Sequence, residues 1–468
     1  MPTTGGYHII TWGCQMNDED SEQMALYLEG MGLHEVADPA QAEVVLLNTC
    51  SVRQKPVDKV YSKLGLLREM KLERPEMIVG VCGCMAQTES ELIKKRAPFV
   101  DMVVGTGNIA AIPNLVEASR RRSNREMFKK GAGLTSLDLP ERKGAIVTDI
   151  PLRNVMRKPK LKAHVPIMYG CDKFCAFCIV PNTRGRERSR STADILSEIH
   201  AMAQQGTREI TLLGQTVNSY GKNMAEGRVP FATLLEQINA VPGLRRIRFT
   251  SPYPKDFTDD LIEAVASLPK VCEHIHLPIQ VADDELLGRM RRGYDMAQYH
   301  SIVEKLRAAI PGVAITTDVM LGFPGETEAQ VQRTLDYVEA TRFDAAFMFA
   351  YSVRTGTRAA TMEDQIPHAT KIERLERLIA IQNQISIEIN NSLVGKVVEV
   401  LVERFNQREN NRLGGHTRGL KMVNFSVDPE GTRSPESLIG KLVPVRITEA
   451  NLTGLIGEIA EEETPVLA

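Results

Sequence analysis

Three cysteines fall within eight residues at Cys171, Cys175 and Cys178, spaced C-x3-C-x2-C behind Gly170 and the apolar run Val165 to Tyr169. Soft thiolates gathered this tightly suit an iron–sulfur cluster or zinc. A four-iron cube held by three cysteines keeps one iron open for a substrate or cofactor, whereas an electron carrier is usually closed by four. The alternative is a zinc knuckle that borrows its fourth ligand from elsewhere. Zinc knuckles favour paired C-x2-C units, and no second pair or close histidine follows here.

A second set is dispersed. Cys14, Cys50 and Cys84 are separated by 36 and 34 residues, and each follows a predicted strand, near Tyr7–Thr11, Val44–Asn48 and Met77–Val81. The carboxyl edge of a parallel α/β sheet is where such folds bind ligands. A lone cysteine is more often a small buried hydrophobe, but recurrence at one topological point groups these three. Cys82 lies two residues before Cys84, so strand periodicity puts both on one face. Periodicity alone therefore leaves Cys82 and Cys84 as alternatives for the third position.

The elements that must carry these residues read as α/β. Residues 1–135 alternate short apolar strands with helical stretches, which predicts a mostly parallel sheet flanked by helices. Residues 136–162 are charged and weakly periodic, as a linker would be. Residues 163–391 hold six strand-like runs, near Val165–Tyr169, Glu209–Leu213, Arg246–Thr250, His274–Leu277, Ala314–Leu321 and Ala345–Tyr351, each followed by a helical stretch. Six β/α repeats are too few for a closed eight-strand barrel, so a partial (β/α)6 barrel with a lateral gap is expected. Chemistry in such barrels sits at the carboxyl ends of the strands. Gln215 and Ser251 follow strands two and three, and Asp318 lies in strand five. Residues 392–468 show short strands punctuated by glycine, which predicts a small antiparallel β-barrel.

Composition bounds the partners. The 468 residues carry a net charge of −2, so the chain is no polycation. Basic residues cluster locally: Arg153 to Lys162, then Arg184, Arg186, Arg188 and Arg190, then Arg289, Arg291 and Arg292. Each run reads as a solvated face or as a phosphate-backbone contact. No apolar run approaches the ~18 residues of a membrane span. The start, Met1 to Gly6, lacks a basic segment followed by a hydrophobic one. Eight cysteines, three of them clustered, argue for reduced thiols. A cytoplasmic monomer without a membrane partner is expected.

Further motifs narrow the class. Gly13-Cys14-Gln15-Met16-Asn17, Asn48-Thr49-Cys50-Ser51-Val52-Arg53, Gly83-Cys84, Cys178-Ile179-Val180-Pro181 and Gly185 to Arg190 resemble those of the radical S-adenosylmethionine (SAM) methylthiotransferases. So do Gly322 to Glu326 and Tyr351 to Thr357. The resemblance covers nearly the whole chain and implies two [4Fe-4S] clusters. Cys171, Cys175 and Cys178 would hold the one that binds SAM; Cys14, Cys50 and Cys84 would hold an auxiliary one. The glycine before Cys84 selects it over Cys82. Phe177, Gln215, Ser251 and Asp318 become candidate SAM contacts, with Phe177 helping to keep the site dry. The implied reaction is radical attack at carbon 2 of an adenine, sulfur delivery from the auxiliary cluster and methylation by a second SAM.

The residues around Cys14 and Cys50 resemble the version acting on N6-dimethylallyladenosine in the tRNA anticodon stem-loop. An electron-donor protein is implied as a second partner. Residues after 392 resemble the RNA-binding TRAM domain, with Arg404, Arg408, Arg412, Arg418 and Lys421 as expected phosphate contacts. Methylthiolation of a ribosomal-protein aspartate and a noncatalytic RNA-binding metalloprotein are the competing readings. One departure stands out: after His276 to Gln280 the family commonly has Ser-Gly-Ser, where this chain has Val281-Ala282-Asp283.

Overall fold

The computed structural model describes residues 5–50, 54–122, 133–139, 159–224, 227–406, 412–426 and 434–460. Its first unit is a six-stranded, wholly parallel sheet. The strands are β1 (Gly6–Trp12), β2 (His34–Glu35), β3 (Ala42–Thr49), β4 (Ile78–Cys82), β5 (Met102–Val104) and β6 (Leu134–Ser136), in the order β2-β1-β3-β4-β5-β6. Helices α1 (Gln15–Gly30), α2 (Gln54–Glu73), α3 (Cys84–Arg96) and α4 (Ile112–Arg120) cover it. Val45, Leu47, Val79 and Val81 face one apolar core, while Val44, Leu46, Ile78 and Cys82 face a second. Both faces are dry, so the strands read as continuous apolar runs. β6 carries the sheet across position 135, where the sequence suggests the linker begins. Most of that linker, with Arg153, Arg157 and Lys158, lies outside the described residues.

The central unit has six parallel strands: β7 (Lys162–Pro166), then, after the short pair β8 (Met168–Tyr169) and β9 (Arg188–Ser189), β10 (Glu209–Leu213), β11 (Arg246–Phe249), β12 (His274–His276), β13 (Ala314–Leu321) and β14 (Ala345–Ala350). They form the sheets β7-β10-β11 and β12-β13-β14, joined by a parallel bridge between Ile247 and Val271. No pairing between β7 and β14 exists among the described residues, so the barrel is open. The crossover helices include α6 (Thr192–Gln204), which follows the one-turn α5 (Val180–Arg184), then α7 (Phe231–Asn239), α8 (Asp259–Ser267), α9 (Asp284–Arg289), α10 (Met296–Ala309) and α11 (Glu328–Thr341), with α12 (His368–Asn391) last. Ile315, Val319 and Leu321 point outward into the shared core under these helices.

The chain ends in a closed five-stranded barrel, β15 (Val397–Asn406), β16 (Arg412–Thr417), β17 (Met422–Ser426), β18 (Leu442–Ala450) and β19 (Leu455–Ile459). Four of its pairings are antiparallel; β17 with β19 is parallel, a departure from the all-antiparallel expectation. β16 escapes sequence pattern because Gly414 and Gly415 interrupt it. A side chain at Gly415 would collide with the Leu401 carbonyl, so glycine here permits close backbone approach.

This small barrel caps the amino ends of the large one. Lys162 at the start of β7 bonds Glu403 at 2.9 Å, and Arg246 at the start of β11 bonds the His416 carbonyl at 2.7 Å. Arg248 donates to the carbonyls of Thr417 and Arg418, both at 2.7 Å. Arg418 forms a two-pronged pair with Glu273 at 2.6 Å, and Lys421 lies 3.2 Å from Asp344. Arg418 and Lys421 are therefore occupied in domain docking, which corrects their reading as phosphate contacts. Arg408 lies outside the described residues. Arg404 is exposed. Among the described residues no helix is long and apolar enough to cross a membrane.

Candidate active site

The N-terminal triad is assembled by three strand ends. Cys14 caps the start of α1, Cys50 follows β3, and Cys84 opens α3 after Gly83. Gly83 has φ +87°, a left-handed turn that separates Cys84 from the strand carrying Cys82. Cys82 instead faces the apolar core, and burial pushes its thiol up to about 12. The strand-face pairing of these two cysteines is thus broken by one turn.

An asparagine pair ties the Cys14 loop to the end of the strand that leads to Cys50. Asn17 accepts from the Cys14 backbone and thiol at 3.4 and 3.3 Å, and donates to Asn48 at 3.2 Å. Asn48 donates back to the Asn17 carbonyl at 2.8 Å and to Ser21 at 2.9 Å. Cys50 shares its thiol proton with Cys14 and Cys84, which holds those two below the ordinary thiol value and Cys50 above it. The Arg184 guanidinium adds to the lowering at Cys14 and Cys84, while burial opposes it.

The second triad sits on the loop between β8 and α5, at the carboxyl end of the open barrel. Gly170 turns at φ +75°, where a side chain would strike the Arg186 carbonyl. The Cys171 amide donates to the Gly185 carbonyl at 3.2 Å, and the Cys178 amide to the Cys175 carbonyl at 3.0 Å. Arg292 reaches across from the far side of the barrel, 3.4 Å from the Cys175 sulfur. Burial raises the Cys171 thiol to about 11 and the Cys178 thiol to about 12. Loading a metal here would release those protons.

The residues fit iron–sulfur ligation: six cysteines in two groups, with Cys50, Cys84 and Cys171 buried, Cys175 and Cys178 half-buried and Cys14 exposed, each group carried on loops that glycine makes tight. Among the described residues no three Cys, His, Asp or Glu side chains converge as ligands of a single metal ion. A cube does not require that, because each cysteine binds a different iron.

The rim candidates separate. Gln215 is half-buried and its Oε1 has no hydrogen-bond partner, leaving an acceptor free for a ligand. Ser251 holds φ +59°, a strained conformation for a residue with a side chain, and its carbonyl accepts from Val217 at 3.2 Å. Asp318 points into the lumen, 3.5 Å from His276. Phe177 packs against the barrel core. Val281 and Ala282 are buried, and Asp283 caps α9 and pairs with Arg333 at 2.6 Å. The departure from Ser-Gly-Ser therefore serves packing.

The fold brings two further polar residues here, Gln280 from the end of strand four and Glu187, which sequence reasoning did not single out. Gln280 adopts φ +72° beside Asp318, whose carbonyl accepts its amide at 2.9 Å. Glu187 is buried, accepts from Thr216 at 3.2 Å, and is pushed up to about 7 by burial. Within the arginine runs, Arg186 and Arg291 are exposed, but Arg184 and Arg190 are buried. Arg190 is enclosed by Glu198 at 2.6 Å and Asp194 at 2.7 Å, and Arg184 is enclosed by Asp20 at 2.7 Å. Neither is a solvated face or a phosphate contact.

Comparison with known proteins follows the same division of the chain. Residues 6–105 match the family described as Uncharacterized protein family UPF0004, residues 165–338 the Radical SAM superfamily, and residues 391–460 the TRAM domain. A protein of Clostridium botulinum named tRNA-2-methylthio-N(6)-dimethylallyladenosine synthase is 45% identical over 97% of this chain and 97% of its own length. The chain belongs to that synthase family. A member from Thermoanaerobacter pseudethanolicus is 46% identical over 97% of this chain and 93% of its own. The fold is also seen in a radical SAM methyltransferase from Kitasatospora setae. That structure has a TM-score of 0.55 at 15% identity, covering 76% of this chain and 75% of the other.

Proposed function

We propose that the protein is a tRNA methylthiotransferase that converts N6-dimethylallyladenosine beside the anticodon to its 2-methylthio derivative. The observation that carries this reading is the placement of the two cysteine triads. α5 begins two residues after Cys178 and ends at Arg184, whose guanidinium acts on Cys14 and Cys84. One short helix thus links the loop of the barrel triad to the wall of the other triad. That proximity is what a reaction needs when one centre activates a carbon and another donates sulfur.

Cys171, Cys175 and Cys178 would hold one [4Fe-4S] cluster, and Cys14, Cys50 and Cys84 a second. Bound there, the clusters would supply the electron for cleaving the SAM sulfonium and the sulfur for transfer. The chain's own groups prepare the cavity. Arg292 fixes the Cys175 loop. Gln215, Ser251 and Asp318 offer polar contacts for the amino, carboxylate and ribose groups of SAM, and Phe177 excludes water beside Cys178. The lateral gap between β7 and β14 admits a base splayed from a single-stranded loop. Exposed Arg404 on β15 supplies backbone contact for the RNA. The account includes an electron-donor protein, a monomeric state and a cytoplasmic location.

The test is nucleoside analysis by mass spectrometry after anaerobic incubation with SAM, a reductant and defined tRNA. Methylthiolated product from tRNA carrying dimethylallyladenosine, and none from ribosomal protein, is the expected result. The reverse pattern would refute the substrate assignment.

A further inference from the structure

The loop that carries the barrel cysteines presents an aromatic ring to solvent. Phe174, between Cys171 and Cys175, is 44% exposed and holds φ +49°, a backbone that bulky residues rarely adopt. Neither its exposure nor its backbone favours folding, so packing does not account for a phenylalanine here. The Arg186 guanidinium lies over the ring, 5.2 Å from its centroid, and Asp172 holds it there at 2.6 Å. Cys175, the next residue, is half-buried. The ring thus stands at the surface one residue from a cysteine of the triad.

Cations surround it. The Ala176 amide donates to the Met290 carbonyl at 2.9 Å, which brings exposed Arg291 against the cysteine loop. Lys173 bonds Asp256 and lies 4.7 Å from the Tyr253 ring centroid, two residues before exposed Lys255. A side chain at Gly293 would stand 3.9 Å from the Lys255 ammonium, so this lysine borders the Arg291 loop. Among the described residues, neither Arg291 nor Lys255 has a carboxylate partner. The acids nearby are already spent: Asp172 pairs with Arg186, and Asp256 with Lys173 and Lys222. The patch is therefore net positive.

An apolar centre with a charged rim has the anatomy of a docking site. Binding to an RNA backbone draws on a run of successive phosphates, whereas a compact patch suits the small interface of a transient redox encounter. Electron tunnelling falls steeply with distance, so a carrier must dock where the cluster's own loop meets solvent. We propose that Phe174, Arg186, Lys255 and Arg291 form the docking surface for an acidic one-electron carrier protein. The carrier loses one electron and the cluster at Cys171, Cys175 and Cys178 gains it; no bond or proton moves in this step. This rests on the assignment of a cluster to that triad.

The test uses the full chain, reconstituted anaerobically, with reduced plant-type ferredoxin as the acidic carrier. 5′-Deoxyadenosine formed from SAM is followed against ferredoxin concentration, and separately with sodium dithionite as reductant; tRNA affinity is measured alongside. Neutralising the rim with Arg186→Gln, Lys255→Gln and Arg291→Gln together is expected to raise the ferredoxin concentration for half-maximal rate about tenfold. The salt dependence of that concentration should flatten. Phe174→Gly should raise it as well, and Phe174→Tyr should not. The dithionite-driven rate and the tRNA affinity should stay unchanged. An unchanged ferredoxin requirement in the neutralised chain would overturn the proposal, and a fall in tRNA affinity alone would give the patch to RNA instead. Equal losses with ferredoxin and dithionite would also overturn it, since general damage to the loop slows both. If Phe174→Gly does not load iron, the neutralised rim alone decides. A parent that makes no 5′-deoxyadenosine with dithionite would count against the cluster assignment itself.

Discussion

Arg292 places a guanidinium nitrogen 3.4 Å from the sulfur of Cys175, although 117 residues separate them. The same side chain donates to the Pro278 carbonyl at 3.0 Å and to Tyr294 at 3.0 Å, and lies over the Tyr253 ring. One buried cation therefore joins the cysteine loop after β8 to the loop after β12. Arg292→Met should leave these acceptors short of donors, at about 1–3 kcal/mol for each group left unsatisfied. Denaturant unfolding measures that loss. The electron paramagnetic resonance signal of the barrel cluster should change while that of the N-terminal cluster does not.

Gly83 controls the other centre. Its φ of +87° and the contact that a side chain would make with Asn48 Oδ1 both oppose substitution. Gly83→Ala should cost about 1–3 kcal/mol for a backbone conformation open essentially to glycine alone, and more for displacing Asn48. Iron bound per chain after anaerobic reconstitution should fall by about half, from about eight to about four. Full loading would contradict the geometry assigned to Cys84.

Arginines on the small barrel should divide by role. Arg404→Ala, at an exposed position, should weaken tRNA binding and reduce the slope of log affinity against log salt by about one. Arg418→Ala should leave that slope unchanged and lower thermal stability, because its guanidinium is spent on Glu273. Filter binding across a salt series and calorimetry separate the two outcomes.

Acid should loosen the same docking surface. Burial alone would raise the Glu403 carboxyl, but bonds from His416 at 2.7 Å and Lys162 at 2.9 Å outweigh it and hold the group at about 2. The unfolded chain takes up this proton near the ordinary value of 4.5, so between about 4.5 and 2 it binds more protons than the native state. The stabilisation is thus complete above the unfolded value. It is lost as pH falls toward 2, by about 1.4 kcal/mol for each tenfold rise in proton concentration across that window. Glu403→Gln should flatten this part of the stability–pH curve, measured by urea unfolding from about pH 6 to about pH 2.5.

Strand positions were legible because burial on both faces writes apolar runs into the chain: Glu209–Leu213 and Ala314–Leu321 coincide with β10 and β13. The cysteines were legible because thiolate spacing is a chemical pattern. Partnership was not. Arg184, Arg190 and Arg418 look like surface charge in a linear sequence, and their carboxylates lie 164, 8 and 145 residues away. Nor does sequence reveal strain, since Ser251 and Gln280 carry left-handed backbones that residues of their type rarely adopt. β16 was hidden by glycines whose value lies in close approach to Leu401.

Most directly, the account stands on a division of labour between Cys175 and Cys50. Anaerobic assays of both alanine variants, with 5′-deoxyadenosine and methylthiolated nucleoside quantified from one reaction, test it. Cys175→Ala should yield neither compound, and Cys50→Ala should yield 5′-deoxyadenosine without methylthiolated nucleoside. Methylthiolated nucleoside from Cys50→Ala, or ordinary 5′-deoxyadenosine production from Cys175→Ala, would contradict it.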